Sequence, residues 1–433
     1  MSHCRPIHRD VDFLLPPSVQ EWLPEGHLAR YVVEVVEGLD LSALERAYAG
    51  RGSLSDHPAM VLSLLIDGYA TGGYSSRKIE RATYDALAFR FIAANHHPDH
   101  DTLATFRRRF APEFQATCVQ VLQVAREHQL SRCGTVSLDG TQIHANASRH
   151  NALSSGHAEA IEAQLQGEVQ QLLALAAEAD GVNIPDGRSV PDELKRREDR
   201  LAAIAAAKVK IAARAAERLA REQADYEAQR AARAAKAAAS GHQPRGKPPT
   251  APTPGPRPED QINLTDEESR IMPVAGGGFE PCYNAQAVVD TETLLVRVPQ
   301  ITQAANDQQQ VAPMRDQRQA LPATINQAEQ LLAAAGSCSE ANVTACESAG
   351  SEPSIAIKRD EHYPHGSERC ENPPAPRAAA TPVERMAHRL KTPKGRATYA
   401  LRKQTVEPVF SIIKAVMGFR QFLTRGLDNV QNE

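Results

Sequence analysis

The sequence predicts an α/β protein in three parts: an N-terminal helical domain, a strand-bearing domain, and a long helical insertion that interrupts the second. Three observations predict it. Apolar residues recur at helical spacing through the first 130 residues, whereas 135–139, 283–290 and 294–298 read as short strands. Between the first two strands lie two long stretches of Ala, Glu, Arg and Gln, which are strong helix formers. The 433 residues, 42% of them hydrophobic, suffice for more than one core at roughly 150 residues per domain.

Residues 1–130 form the helical domain. Met60 to Tyr69 is an apolar helix, and Thr71-Gly72-Gly73-Tyr74 breaks it. Ser75 and Ser76 can cap a second helix, in which Ile79, Ala82, Ala86 and Leu87 recur at helical spacing. This helix–glycine turn–helix layout places Arg77, Lys78 and Arg81 on the second helix. A third helix after Asp101-Thr102 carries Phe106 and the run Arg107, Arg108, Arg109. Such a helix-turn-helix can contact DNA through those six cations. It can equally be a small helical bundle with solvated arginines, and spacing does not separate the two.

Residues 131–433 form the second domain. Its first strand, Thr135 to Asp139, stops at Gly140. A second strand runs from Tyr283 to Asp290, a turn from Asp290 to Thr293, a third strand from Leu294 to Val298, and a helix from about Asp307 to Gln319. The insertion, 150–260, holds helices at 157–178 and 193–239. The second helix is long enough to reach roughly 70 Å at 1.5 Å per residue. The proline-rich stretch 243–258 can be neither helix nor sheet, and 240–260 is expected to be a mobile linker. Helices this long need a partner face. The insertion is therefore expected to project as a hairpin packed on itself or against a second subunit, its arginines on a solvated face.

The net charge of −4 argues weakly against a nucleic-acid partner. Distribution matters more: from Lys358 onward there are roughly six more Lys and Arg than Asp and Glu. Seven cysteines without a CxxC pair read as ordinary thiols rather than a zinc site or disulfide framework. No run of about 18 apolar residues exists, and MSHCRPIHRD has no apolar signal region, so a cytoplasmic protein without a membrane partner is expected.

Two acids stand out. Asp139 ends a strand and is followed by Gly-Thr, which puts its carboxylate at a sheet edge. Glu407 lies in a helical stretch, Tyr399 to Met417, where Lys403, Glu407 and Lys414 fall within about 40° of one another on a wheel of 100° per residue. Val406, Val409, Phe410, Ile413 and Met417 form the adjoining apolar arc, which Arg402 and Arg420 interrupt. Pro408 costs about 3 kcal/mol inside a helix, so a kink or a fresh helix start is expected at Glu407. A carboxylate flanked by lysines suits a site holding a metal and a phosphate. A surface Glu–Lys ladder fits the same spacing.

The blocks VSLDGTQIHANASRH, QINLTDEESRIM, CYNAQAVVD, SEANVTACESAG, AIKRDEHYPH, ERMAHRLKTPKGRATYALRKQTVEPVF and KAVMGFRQFLTRGL, in this order, resemble those of bacterial DDE-type insertion-sequence transposases. The branch is the one with a long helical insertion between the first two strands. GYATGGYSSRKIERA and HHPDHDTLATFRRRF resemble its N-terminal domain. Tyr399, Arg402, Glu407 and Lys414 stand where related transposases carry a Tyr/Arg/Glu/Lys signature, with one extra residue before Glu407, so Lys403 also fits the basic position.

The resemblance implies a ribonuclease H-like catalytic domain, a mixed five-stranded sheet with flanking helices. It implies two-metal phosphoryl transfer with Mg²⁺ (or Mn²⁺) held by two Asp and a Glu. Asp139 would be the first acid and Glu407 the third, with carboxylates roughly 4–9 Å apart. It further implies terminal inverted repeats and target DNA as partners, a homodimer on DNA and a nucleoid-associated location. The candidate DNA contacts near the active site are Lys403, Lys414, Arg420 and Arg425. The sequence departs from the family at the second acid: where the family reads leucine-alanine-aspartate-alanine-glycine-tyrosine, this chain has Leu332-Ala333-Ala334-Ala335-Gly336-Ser337. Gln142 replaces a usual lysine, and the family pattern continues beyond Glu433. The expectation is a transposase impaired in this copy, with two rivals: an inactive DNA-binding remnant or repressor, and a helical interaction protein that uses the arm and has no DNA role.

Overall fold

The computed structural model describes residues 18–47, 55–131, 134–178, 190–240, 242, 246–357, 373–377 and 379–433. The described residues of the N-terminal region form helices and no strands: α1 (Val19–Trp22), α2 (Leu28–Glu37), α3 (Ser42–Ala47), α4 (Pro58–Ala70), α5 (Ser76–Asp85), α6 (Leu87–Ile92), α7 (His100–Arg109) and α8 (Ala111–Glu127). One core joins them, with Val32, Leu62, Leu64, Ile79, Leu103 and Phe106 buried together. α4 and α5 meet closely because Gly68 has no side chain; a Cβ there would lie 2.9 Å from Ile79 Cδ1. Ser75 holds the N-cap position of α5, but its side chain makes no capping hydrogen bond. The expected run through Ala86 and Leu87 is two helices, broken where Ala86 turns extended. α7 is capped by Asp99, whose carboxylate accepts from the Thr102 N–H at 2.6 Å.

Next comes a mixed sheet, built from β1 (Thr135–His144), β4 (Arg270–Pro273), β5 (Phe279–Asp290), β6 (Val296–Thr302), β7 (Gln330–Ala333) and β8 (Glu352–Ile355). The order is β4-β5-β1-β7-β8, with β6 also paired to β5. β4 pairs with residues 279–282 of β5 and β6 with residues 284–289, so six strands occupy five positions. β1 is antiparallel to β5 and parallel to β7, and β7 is parallel to β8. This mixed order fits a ribonuclease H-like fold. β1 does not stop at Gly140 but continues to His144, because its register with β5 persists to His144↔Cys282.

Helices cover both faces. On one, Leu138 and Val288 pack with Val311 and Met314 of α11 (Val311–Ala320), Val343 of α12 (Glu340–Ser348) and Met386 of the helix Pro382–Lys391. On the other, Ala287 and Val289 pack with Val406 and Val409. The stretch 399–417 is not one helix. It is an α-helix at Pro393–Ala400, a 3₁₀ turn at Leu401–Gln404, a short α-helix at Val406–Ser411 and a π-turn at Ile412–Val416.

Between β1 and β5, β2 (Ala152–Ser154) pairs with β3 (Gln261–Asn263) at the base of the insertion. α9 (Ser155–Glu178) and α10 (Val190–Ser240) form an antiparallel hairpin. Leu165 packs with Ile204 and Ile211, and Glu162–Lys208 (2.7 Å) and Glu168–Arg197 (2.8 Å) flank that seam. From Gly246 onward the proline-rich segment runs back along α10 with contacts to it, whereas 243–245 of the expected mobile linker lie outside the described residues. Arg233 donates to the Gly246 carbonyl (2.9 Å), Arg257 pairs with Glu222 (2.9 Å) and Arg218 with Asp260 (2.5 Å). No helix of the described residues is long and apolar enough to cross a membrane.

Candidate active site

β1 lies in the middle of the sheet and places Asp139 opposite Ala287 of β5. Cross-strand partners share a face, so the Asp139 side chain stands on the face that Val406 and Val409 cover. The helix carrying those valines starts afresh where Thr405 departs from helical geometry (φ −113°, ψ −76°). Pro408 falls in its first turn, where a missing N–H costs no intrahelical bond. The expectation of a helix start around Glu407 is thus met, and Glu407 lies at the helix's exposed N-terminal rim.

The two acids meet through one side chain. Arg402 donates from Nη1 to Asp139 Oδ2 (2.6 Å) and from Nη2 to Glu407 Oε1 (3.3 Å). The planar guanidinium is about 2.3 Å across its terminal nitrogens, so those two oxygens lie no more than roughly 8 Å apart. On a helical wheel Arg402 looked like a flaw in the apolar arc. The 3₁₀ turn removes it from that arc, which helical spacing could not anticipate. Lys414 is drawn in rather than free: its Nζ donates to Thr141 Oγ1 (2.5 Å) and to the Gln142 carbonyl (2.6 Å). Burial lowers the Lys414 pKa.

Ala334 directly follows β7. Leu138 of β1 pairs with Ala333 of β7 in parallel register, so Ala334 is the next step beside Asp139. The Tyr399 hydroxyl donates to the Ala333 carbonyl at 3.4 Å, over this strand end. The other nearby acids are placed differently. Asp290 is buried in an ion pair with Arg297, and Glu340 is exposed at the start of α12. Asp307 accepts from Asn284 Nδ2 (2.9 Å) and Gln286 Nε2 (2.5 Å), on the opposite face of β5 from Ala287.

Burial raises the pKa of Asp139, against the charge of Arg402 and the Gly140 N–H, which lower it; the Asp307 charge adds to the rise. Asp307 reaches this close because Gly140 has no side chain. A Cβ there would meet Gln286 Nε2, Asp307 Oδ1 at 2.5 Å and Asn284 Oδ1 at 2.7 Å. Asn284 and Gln286 are fully buried and cannot swing aside. Gly140→Ala is therefore expected to cost roughly 1–3 kcal/mol of overpacking, measured by urea unfolding. An unchanged midpoint would show that this cluster yields easily.

The two-metal site that the resemblance implies does not fit these residues. Its acids are reduced to two carboxylates, both already bound to Arg402, and Ala334 offers a methyl group where the third would stand. Among the described residues no group of three His, Cys, Asp or Glu is arranged to hold a metal ion. Cys282 and Cys346 are buried thiols: burial pushes Cys282 up to about 12 and Cys346 up to about 11.

The candidate DNA contacts divide by their geometry. Arg77, Lys78, Arg108 and Lys403 are exposed, and Arg81 forms an exposed pair with Asp85 at 3.0 Å. Arg107 instead donates to the Tyr69 hydroxyl (2.5 Å), and Arg109 to the Ala47 carbonyl (3.3 Å). Arg420 holds the Lys414 carbonyl (2.9 Å) and Arg425 the Asn146 carbonyl (3.0 Å). Sequence reasoning also missed a seam between the two domains. Tyr74 donates to the Met417 carbonyl (2.7 Å) and its ring meets Phe419 edge-on at 4.8 Å. Gly72, at φ +84°, brings the glycine turn against the same carbonyl.

Residues 17–109 match a family model described as a transposase domain (DUF772), and residues 369–433 match one described as a transposase DDE domain. Glu407 lies inside the second match, while Asp139 and Ala334 lie between the two. No curated protein and no solved structure matches the chain. The chain thus resembles transposases in two separate stretches, a transposase domain over 17–109 and a transposase DDE domain over 369–433.

Proposed function

We propose that the chain is a DNA-binding transposase that recognises the ends of a mobile element, and that its cutting and joining of DNA is impaired in this copy. The observation that carries this reading is the parallel register of β1 and β7. It sets Ala334 beside Asp139, on the side of the sheet where Glu407 arrives. Asp139 and Glu407 are the surviving pair of acids. The Arg402 bridge favours a second reading, a catalytically inactive DNA-binding remnant or repressor of transposition, because both carboxylates are already satisfied.

DNA binding is common to both readings and is tested first. Affinity for terminal-repeat DNA should fall by roughly 0.9 log unit per log unit of salt for each phosphate contact. Replacing Arg77, Lys78 and Arg108 by Gln is expected to flatten that slope by about 0.9 each. Arg107→Gln should leave the slope alone and lower stability instead, since Arg107 is held by Tyr69. Binding that ignores salt would reject the DNA reading. Dimerisation on DNA belongs to the same proposal, with sedimentation of the complex as its measurement.

A further inference from the structure

We infer that Arg402 is the resident cation of the Asp139–Glu407 pair, and that with alanine at 334 the pair binds no divalent metal while the guanidinium is in place. The two carboxylates bring two negative charges, and Arg402 contacts both from a side chain only 13% exposed. A guanidinium presents its N–H donors in a planar fork, which lets it hold both carboxylates at once. Bringing a dication to the same oxygens would set three positive charges against two negative ones. Lys414, bound to Thr141 two residues along β1 on the same face as Asp139, adds a fourth. A hard divalent cation also needs about six oxygen ligands, and position 334 supplies none.

The backbone supports the same placement. Arg402 sits in the 3₁₀ turn Leu401–Gln404, which Thr405 closes by donating from Oγ1 to the Leu401 carbonyl at 2.6 Å. Thr405 is itself buried. The turn aims the guanidinium down onto β1, rather than outward as a continuous helix would allow. In this structure the site therefore lacks an acid at 334 and holds a cation between the other two.

This inference rests on the site identified above, but its test needs neither DNA nor activity. Mn²⁺ is titrated into the full chain and followed by electron paramagnetic resonance, for the unaltered protein, Ala334→Asp, and Ala334→Asp combined with Arg402→Gln. The unaltered protein should show no saturable binding below the millimolar range. The double variant should bind about 10- to 1000-fold more tightly than Ala334→Asp alone, the range that a charge within about 4–6 Å is worth. Micromolar binding by the unaltered protein, lost in Asp139→Asn, would overturn the inference. So would equal affinities of the single and double variants, or a folded double variant that fails to bind. The thermal melt of the unaltered protein adds a readout free of variants: millimolar Mn²⁺ should not raise its midpoint above that in salt of equal ionic strength, and a clear rise would overturn the inference. Salt-dependent DNA binding, measured separately in chelator, tells a failure here from a failure of the DNA-binding reading.

Discussion

Incubated with its element ends and Mg²⁺, the unaltered protein is expected to leave the DNA uncut, and Ala334→Asp to raise cleavage by at least about a hundredfold. A missing acid in such a site is worth several kcal/mol of charge stabilisation, and each 1.36 kcal/mol is about tenfold in rate. The substitution is physically mild. Ala334 lies just past the end of β7 in extended backbone (φ −71°, ψ 165°), a conformation that Asp adopts readily. Among the described residues, the nearby acids Asp290, Asp307 and Glu340 are placed elsewhere. Asp290 is committed to Arg297, Asp307 to two buried amides on the other face, and Glu340 points to solvent at the start of α12. Recovery should be partial, because Arg402 still spans the other two acids. Gel assays on labelled ends measure the outcome. Robust cleavage by the unaltered protein, abolished by Asp139→Asn, would mean that Ala334 is not the missing position.

The largest expected loss of stability lies away from that site. Arg297→Met should cost about 3–5 kcal/mol, the usual penalty for leaving one member of a buried ion pair alone. Asp290 and Arg297 are each only 3% exposed and are directly bonded to one another. Arg297 also donates to Ser131 Oγ (2.6 Å) and to the Ile325 carbonyl (3.1 Å), tying the β5–β6 hairpin to the start of β1 and the segment before β7. Burial alone would raise the Asp290 pKa. The Arg297 hydrogen bond and the N–H groups of Glu292 and Thr293 outweigh it and bring it below the ordinary 3.8. A lowered carboxylate contributes stability that is complete above its unfolded value and lost as pH falls through the folded one. Unfolding measured from neutral pH down to about pH 3 should show that acid-side loss in the unaltered protein and a weaker one in Arg297→Met. A change of under about 1 kcal/mol at neutral pH would show that Asp290 finds other partners.

Much of this architecture was legible in the sequence. Tyr283–Asp290 read as a strand and the helix formers of the insertion marked α9 and α10, because local composition survives whatever packs around it. The departure from the family pattern at 334 was visible in the sequence, and the β1–β7 register puts that position beside Asp139. Gly140 was misread as a strand end. It is a mid-strand glycine, where Gln286, Asn284 and Asp307 fill the space that a side chain would take, and that demand comes from residues far away in the chain. Arg402 and Lys414 were misjudged for a related reason. A helical wheel assumes one continuous helix, while the 3₁₀ turn, the break at Thr405 and the π-turn re-aim every side chain from 401 to 416. The N-terminal arginines looked alike in one dimension. Only their surroundings separate Arg107, held by Tyr69, from Arg108 in solvent.

The contact of Gly72 and Tyr74 with Met417 and Phe419 bears on how such a chain can be cut up or recombined. The N-terminal domain supplies the lid for a strip of the C-terminal segment that lies immediately beyond Lys414. A fragment beginning at residue 131 would bare the Phe419 ring and lose the donor to the Met417 carbonyl. It should be stickier than the whole protein, and its π-turn looser. Exchange of N-terminal domains between relatives is constrained in the same way. A donor domain must bring its own glycine–glycine–tyrosine turn, or the recipient's residues 412–419 must change with it. The two ends of the chain are therefore expected to be inherited as a matched set.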